Sequence, residues 1–389
     1  MTTPKPRLAA RLAAITLAAA ALPAQAAEPT PSYQFGARLQ VDHDRHDGLY
    51  STDGQSRSET YLRRATAELS GRLHRHWDYE LEAQLDGDAS FSWRTAAVAY
   101  SGLDIARLQF GRMKPEFGLE ESTSSKWITG IERSAIWDLA PDAVERSDGF
   151  AATRTGDRYR LSLAGYRRAD HDALVARAVF TPLRSDTQVL HLGLSHADER
   201  IDGSNGRIRS RLGVQGVSEG SGGNRSTLAP SAGAGAFDGD RVWVAEFAWA
   251  LGPWSLQSEW LQRRLDAATA SADREADGVY LQLAWTLTSE PRPYDIVGAR
   301  FEAIRPGARR WGAWELVVRH DQLRVRGGGD LADPAIDTRA SVQLLGLNWY
   351  VNRSVRLSAN VLRARSDRPD NAVGSRDGEA LSLRLQWVL

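Results

Sequence analysis

Alternation with a period of two restricts the fold of this chain more than any other feature. Tyr33, Phe35, Ala37, Leu39 and Val41 are apolar, while Gln34, Arg38, Gln40 and Asp42 between them are polar. The pattern returns across 77–85, from Trp77 to Leu85, and at Trp254 and Leu256 set against Gln257 and Glu259. It recurs at Leu281, Leu283 and Trp285 with Gln282 and Thr286, and at Leu381, Leu383, Leu385, Trp387 and Leu389 with Ser382, Arg384 and Gln386. Such a period gives each segment one apolar and one polar face, as in a β-strand, and no helical period is sustained. Segments of about ten residues, such as 33–42 and 379–389, are longer than most soluble strands and suit tilted strands that cross a bilayer.

Composition removes several other classes. Lys+Arg and Asp+Glu both number 49, so the chain lacks the basic surface that neutralises phosphates of nucleic acid. It has no cysteine, which excludes disulfides, thiolate zinc sites and a cysteine nucleophile. A mean hydropathy of −0.42, with no long apolar run past the N-terminus, excludes a bundle of membrane helices. Residues 1–26 read as a secretory signal peptide. Lys5, Arg7 and Arg11 precede an apolar run from Leu12 to Leu22, and Ala24-Gln25-Ala26 forms the cleavage site. Residues 27–389 then form one domain, because no break in composition divides them.

Polar, Gly- and Asp-rich stretches at 43–58, 198–206, 216–240 and 326–338 separate the alternating segments, and 216–240 reads as a long loop on the surface or in a lumen. At roughly 22 residues per strand and connection, the mature chain holds on the order of sixteen strands, a transmembrane antiparallel β-barrel. Tyr33, Trp77, Trp254, Trp311, Trp349 and Trp387 fall near segment ends, as girdle aromatics do.

No enzyme motif is visible. Gly233-Ala234-Gly235 lacks the strand–helix context of a phosphate loop, and no Gly-x-Ser-x-Gly elbow occurs. His74 and His76 have no third metal ligand indicated, and Glu120 beside Glu121 is weak evidence for acid/base work. Arginine is the informative residue. Only three of the 49 basic residues are lysines (Lys5, Lys114 and Lys126), leaving 46 arginines. Arg207, Arg209 and Arg211 alternate, so on a strand they share a face that cannot be lipid. Arg64, Thr66, Glu68, Ser70 and Arg72 form a polar stripe opposite Ala65, Ala67, Leu69 and Leu73. Guanidinium forks along a narrow pore bind an anion well enough to admit it and weakly enough to release it.

Phe110-Gly111-Arg112, Phe117-Gly118-Leu119-Glu120, Thr123-Ser124-Ser125-Lys126, Ile131-Glu132-Arg133, Leu287-Thr288-Ser289-Glu290-Pro291-Arg292, Gly312-Ala313-Trp314-Glu315-Leu316 and Asn348-Trp349-Tyr350 follow in order. Over essentially the whole mature chain this resembles the phosphate- and pyrophosphate-selective porins of the O/P family. The resemblance implies a homotrimer of sixteen-stranded barrels in outer-membrane lipid, with a constriction loop, roughly 114–148, folded into each lumen. It implies anion-binding roles for Arg63, Arg64, Ser124, Ser125 and Arg133 at the constriction. It implies an entrance ladder of Arg207, Arg209 and Arg211 joined by Arg225, and far-side basic residues Arg300, Arg305 and Arg309. Strict alternation would set Arg63 and Arg64 on opposite faces, so both reach the lumen only at a bulge or strand end.

Departures from the family pattern are Arg94 at an acidic position, Glu121 at a lysine position, Lys114 at an aromatic or acidic one and Gln215 at an arginine. They leave the preferred anion open, and Trp387 stands in for the usual terminal aromatic. The reading is passive, anion-selective diffusion of phosphate or polyphosphate without cofactor, metal or catalysis. The alternatives are a porin of broad specificity and an outer-membrane barrel enzyme or adhesin.

Overall fold

The computed structural model describes residues 31–85, 90–168, 171–268, 272–307, 310–328 and 335–389; the segment read as a signal peptide lies outside them. Alternating faces on every long segment can be satisfied together only if the sheet closes on itself, since an open edge would leave backbone groups unpaired in lipid. The first nine strands run in order around the wall: β1 (Ser32–His46), β2 (Arg57–His74), β3 (Trp77–Leu85), β4 (Phe91–Tyr100), β5 (Arg107–Met113), β6 (Ser147–Thr155), β7 (Tyr159–Arg167), β8 (His171–Arg184) and β9 (Gln188–Ser204). A small hairpin of β10 (Ile208–Ser210) and β11 (Ser226–Ala229) precedes β12 (Phe237–Leu251), β13 (Trp254–Ala267) and β14 (Arg274–Thr286). A second hairpin, β15 (Tyr294–Asp295) and β16 (Arg300–Phe301), precedes β17 (Ala313–Gly327), β18 (Ile336–Tyr350), β19 (Val355–Ser366) and β20 (Asp377–Val388). Leaving out the two hairpins, sixteen strands close into an antiparallel barrel, with β1 and β20 in register from Arg38 opposite Val388 to His46 opposite Ala380.

The wall is inverted relative to a soluble protein. On β20, Leu381, Leu383, Leu385 and Trp387 are exposed, while Ser382, Arg384 and Gln386 are buried. On β1, Arg38, Gln40, Asp42 and Asp44 point inward and are buried. Strands run from 7 to 18 residues, so many exceed the expected ten.

Tight connections such as 75–76, 156–158 and 252–253 gather at one end with the start of β1 and the end of β20, whereas 114–146 and 205–236 leave from the other. In outer-membrane barrels the short turns are periplasmic and the long loops external. The connection 287–312 is the long exception at the short-turn end. Trp77, Trp254, Trp285, Trp314, Trp349 and Trp387 ring that end, with stacked pairs Trp254–Trp285 (4.8 Å) and Trp314–Trp349 (5.1 Å). Trp311 belongs to the connection and not to a strand; its carbonyl accepts from the Trp349 indole.

Two register shifts matter for the pore. Gln40 faces Arg64 but Val41 faces Leu62, so Arg63 has no partner across the ladder. Likewise Glu82 faces Thr95 but Ala83 faces Trp93, which leaves Arg94 as the extra residue. A bulge re-aims a side chain without disturbing the faces on either side of it, one of the two ways the sequence left for Arg63 and Arg64 to share the lumen.

The lumen is half filled. Phe117, Ile136 and Leu139 of 114–146 pack with Ile208, Leu212, Val214 and Leu228 of 205–236, and this cluster meets Val242, Leu261, Val325 and Val342 on the inner wall of β12–β18. Each fully buried aliphatic side chain contributes about 1.5–3 kcal/mol, enough in sum to hold both loops inside. The open space is left against the opposite wall. The constriction loop ends at 146, because Ser147 begins β6.

Gly111 has φ of +113°, and an added Cβ would lie 2.3 Å from the Ala96 carbonyl oxygen. Gly165 on β7 has open space around such a Cβ. Gly111→Ala is expected to cost about 1–3 kcal/mol and to lower the temperature at which the folded band converts to the unfolded band in detergent gels. Gly165→Ala should leave that temperature unchanged; equal shifts for both would remove strain as the cause.

Candidate functional site

Irregular backbone at membrane depth survives only where its polar groups find partners inside the barrel. The loop 114–146 finds them on nearly every side of the wall. At its helical turn, Leu119–Ser122, the Gly118 amide donates to Ser195 Oγ (3.0 Å), and the Leu119 and Glu120 amides donate to the Glu259 carboxylate (2.5 and 3.1 Å). Further along, wall side chains donate to loop carbonyls: Arg356 to Ile128 (3.0 Å), Asn348 to Thr129 (2.8 Å), Arg384 to Ile131 (2.5 Å) and Arg319 to Glu132 (3.1 Å). Arg263 closes the set on Leu139 (2.8 Å).

Between this loop and the inner faces of β1–β5 lies a cavity of about 790 Å³. It is lined by ten cationic side chains and seven glutamates, a surplus of three positive charges. Most of the cations are matched. Glu82 receives Arg146 (2.9 Å), Arg38 (3.3 Å) and Arg94 (3.4 Å); Glu68 receives Lys126 (2.8 Å); Glu121 receives Arg133 (2.6 Å) and Lys114 (2.9 Å). Arg112, Arg168 and Arg300 stand 3.5–3.6 Å from Asp148, Glu145 and Glu302. Arg64 is the exception: among the described residues it has neither a hydrogen bond nor an ion pair, and it faces the cavity.

The residues expected at the constriction therefore separate. Arg64, Ser124, Ser125 and Arg133 line the cavity together. Ser125 Oγ accepts from Arg38 (2.8 Å), and Ser124 Oγ accepts from the Lys126 amide (3.3 Å). Arg133 is engaged by Glu121 and donates to the Glu120 and Thr123 carbonyls (3.1 and 3.0 Å), which fixes its fork in the loop. Arg63 is not a lining residue. It clamps Glu132 with two bonds of 2.9 and 3.0 Å, and Arg384 reaches the same carboxylate at 2.6 Å. Arg94 and Glu121 do not compensate one another, since each answers to different partners.

The ladder sits elsewhere than a barrel strand. Arg207, Arg209 and Arg211 belong to the loop 205–236, in and beside the three-residue β10; Ile208, Ser210 and Leu212 between them are buried, so the shared face survives. Asp138 of the constriction loop pins this hairpin by accepting from Ser210 Oγ (2.7 Å) and the Arg211 amide (2.8 Å). Arg225 joins the group: burial, then the nearby Arg211 and Arg209 charges, push its guanidinium pKa down. Gln215 donates to Glu219 (2.6 Å). At the far end Arg300 lines the cavity from β16, whereas Arg305 is exposed on the same connection and outside the cavity lining. Arg309 lies outside the described residues.

Sequence reasoning missed Arg38 and Arg146 with their shared acceptor Glu82, and Lys126, which Glu68 holds. Arg38 and Glu82 sit on the polar faces of alternating segments, so the signal was present, but nothing in it marks which polar residues converge. On the loop, burial and then the neighbouring Glu121 act oppositely on Lys114; burial wins and lowers its pKa to about 7.

A closed barrel with a lipid-facing apolar wall, a charged interior and an inward-folded loop defines an outer-membrane porin. A sequence model of the family described as phosphate-selective porin O and P matches residues 33–389. Porin O of Pseudomonas aeruginosa is 38% identical over 387 residues, covering 92% of this chain and 88% of the relative. The chain belongs to the phosphate-selective porin O and P family. Among solved structures, in-vitro folded OmpT, an outer membrane protein of Vibrio cholerae, aligns with a TM-score of 0.61 at 8% identity, over 93% of this chain and 98% of that one. The outer membrane channel DcaP of Acinetobacter baumannii gives 0.58 at 8% identity, over 92% and 97%. At these identities the likeness is one of fold.

Glu132→Ala leaves Arg63 and the buried Arg384 short of a carboxylate, a loss of about 3–5 kcal/mol locally. Single-channel recordings of this variant are expected to show noisier and larger open currents, because the loop loosens. A current trace indistinguishable from wild type would show that the carbonyl bonds alone hold the loop.

Proposed function

We propose that this outer-membrane porin passes small inorganic anions, phosphate or a short polyphosphate foremost, by diffusion along its arginines, with Arg64 as the binding group. One observation carries the reading. Nine of the ten cations around the cavity have a carboxylate within 4.0 Å, and Arg64 alone has none among the described residues. An uncompensated fork beside the hydroxyl-bearing Ser124 and Ser125 offers charge-assisted hydrogen bonds to a tetrahedral oxyanion. The loop arginines 207, 209, 211 and 225 gather anions at the external mouth, where no deep trap forms because the forks are spread. The matched carboxylates favour a second reading, a pore of broad specificity, since they dilute the field that would distinguish phosphate from chloride.

The family's trimer is also proposed for this chain, and the wall supports it. The strands β3–β7 hold 7–10 residues each, against 12–18 on the rest of the barrel. Seven residues tilted by about 40° reach only about 18 Å, short of the ~25 Å apolar band. That low wall calls for protein neighbours, while the higher wall meets lipid.

Arg64→Ala should abolish block of chloride current by added phosphate, leaving ohmic current. Retained block would move the binding point away from Arg64. Replacing Arg207, Arg209 and Arg211 together with glutamate should turn the reversal potential across a salt gradient from anion- to cation-preferring; a properly inserted variant with unchanged reversal potential would place the ladder off the ion path.

Lys114 carries its proton below about pH 7 and loses it as pH rises through that value. One lumen charge is therefore lost between pH 6 and 8, and anion preference should fall over that window. Lys114→Arg should flatten the profile, since guanidinium stays charged.

A further inference from the structure

The outer wall is not uniformly apolar. On β12, five successive outward residues, Leu251, Trp249, Phe247, Ala245 and Trp243, are apolar, with Arg241 beyond them. At roughly 5 Å of height per outward residue on a tilted strand, they cover about the ~25 Å of an apolar band. On β17 the run stops after three, Trp314, Leu316 and Val318, and His320 and Gln322 follow. On β18 it stops after Trp349, Leu347 and Leu345, giving way to Gln343 and Ser341; on β19 it stops after four, Val355, Leu357, Ala359 and Val361, giving way to Arg363 and Arg365.

These polar groups are neighbours. His320 faces Gln343, Gln343 faces Arg363, Gln322 faces Ser341, and Ser341 faces Arg365 across the sheet. His320 and Gln322 hydrogen-bond at 3.1 Å. Two shallow grooves, of about 540 and 570 Å³, run over this face on the external half of the barrel. Their apolar sides include Trp260, Val279, Val318, Leu345 and Val361; the last three are 51–56% exposed. Arg324 is held by Asp337 (2.7 Å) and Arg326 by Asp277 (2.7 Å). Arg363 and Arg365 are exposed and form no ion pair among the described residues, although Glu379 and Asp367 line the same grooves.

Acyl chains cannot cover such a surface without a cost of up to a few kcal/mol per cation. A protein neighbour is called for at the low wall of β3–β7, not here, where strands hold 12–15 residues. What fits is a ligand with anionic oxygens above and hydrocarbon below. We propose that the outer face of β17–β19 seats a phosphorylated, multiply acylated glycolipid of the external leaflet, with Arg363 and Arg365 on its phosphates and its chains over Val318, Leu345 and Val361. Guanidinium forks match phosphate bidentately, and the amide and imidazole groups beside them suit sugar hydroxyls.

The test is native mass spectrometry of the detergent-solubilised oligomer titrated with bisphosphorylated hexa-acyl lipid A and, separately, with the same lipid dephosphorylated. Wild type is expected to retain the phosphorylated lipid at least tenfold better, and 1 M NaCl should erase most of that difference. The Arg363→Ala/Arg365→Ala double variant should lose the preference while its chloride conductance stays unchanged, because neither residue lines the pore. Arg241→Ala on β12 should behave as wild type. Equal retention of both lipids by wild type would overturn the proposal in favour of a locally thinned bilayer. A double variant that keeps its lipid preference, or that dissociates into monomers with lipid retention intact, would overturn it too. The wild-type comparison decides the matter even if the double variant fails to fold.

Discussion

Donation from buried wall arginines to the carbonyls of the constriction loop is the interaction on which the rest of the pore depends. A loop of irregular backbone inside a barrel presents carbonyls that would otherwise need water, and ordered water in a pore does not fix geometry. Arg319, Arg356 and Arg384 are each at most 3% exposed and supply those partners from β17, β19 and β20. Because guanidinium keeps its charge, these tethers hold across any pH at which the membrane survives. The ion path is displaced to the other side of the lumen as a consequence. The loops fill the half lined by β12–β18 with an apolar cluster, and the open cavity lies against β1–β5.

Charge around that path is arranged by matching more than by accumulation. Removing a carboxylate such as Glu82 would release three cations at once, whereas Arg64 has no ion pair to lose among the described residues. Local neutrality lets many arginines sit in one narrow space without repelling the loop outward, and among the described residues it leaves one cavity-lining fork unmatched. Under the proposed function, an anion would meet one strong contact within a field that is positive by only a few charges, which suits transit better than capture.

Much of the fold is legible in the sequence alone. Alternation in 33–42, 77–85 and 379–389 located wall strands, and chain length gave the strand number. The adjacency of Arg63 and Arg64 asked for a bulge or a strand end, and the wall has a bulge there. The second bulge, at Arg94, left no such mark, because Trp93 and Thr95 each fit a regular strand. Site residues were harder. Period two tells which face a residue occupies but not its height or its partner, so Arg63 and Arg133 looked equivalent to Arg64 although both are committed to carboxylates. Likewise the spacing of Arg207, Arg209 and Arg211 is true of a three-residue strand within a loop as much as of a barrel strand. Neither Arg38 nor Glu82 carries any local feature that distinguishes it from other polar wall residues; their convergence arises from strands that are 44 residues apart in sequence.

The two bulges also bear on how such a pore can change. Along the regular stretches of the ladder, residues are locked into an in-or-out assignment shared with their neighbours, so an insertion there would turn the rest of a strand inside out. At Arg63 and Arg94 the extra residue stands outside that assignment. Losing either one would restore a regular ladder and take one cation from the interior, while the lipid-facing row stays in place. A bulge is therefore a position where lineages of this barrel could add or subtract lumen charge one residue at a time, and selectivity could drift without the membrane surface having to be redesigned.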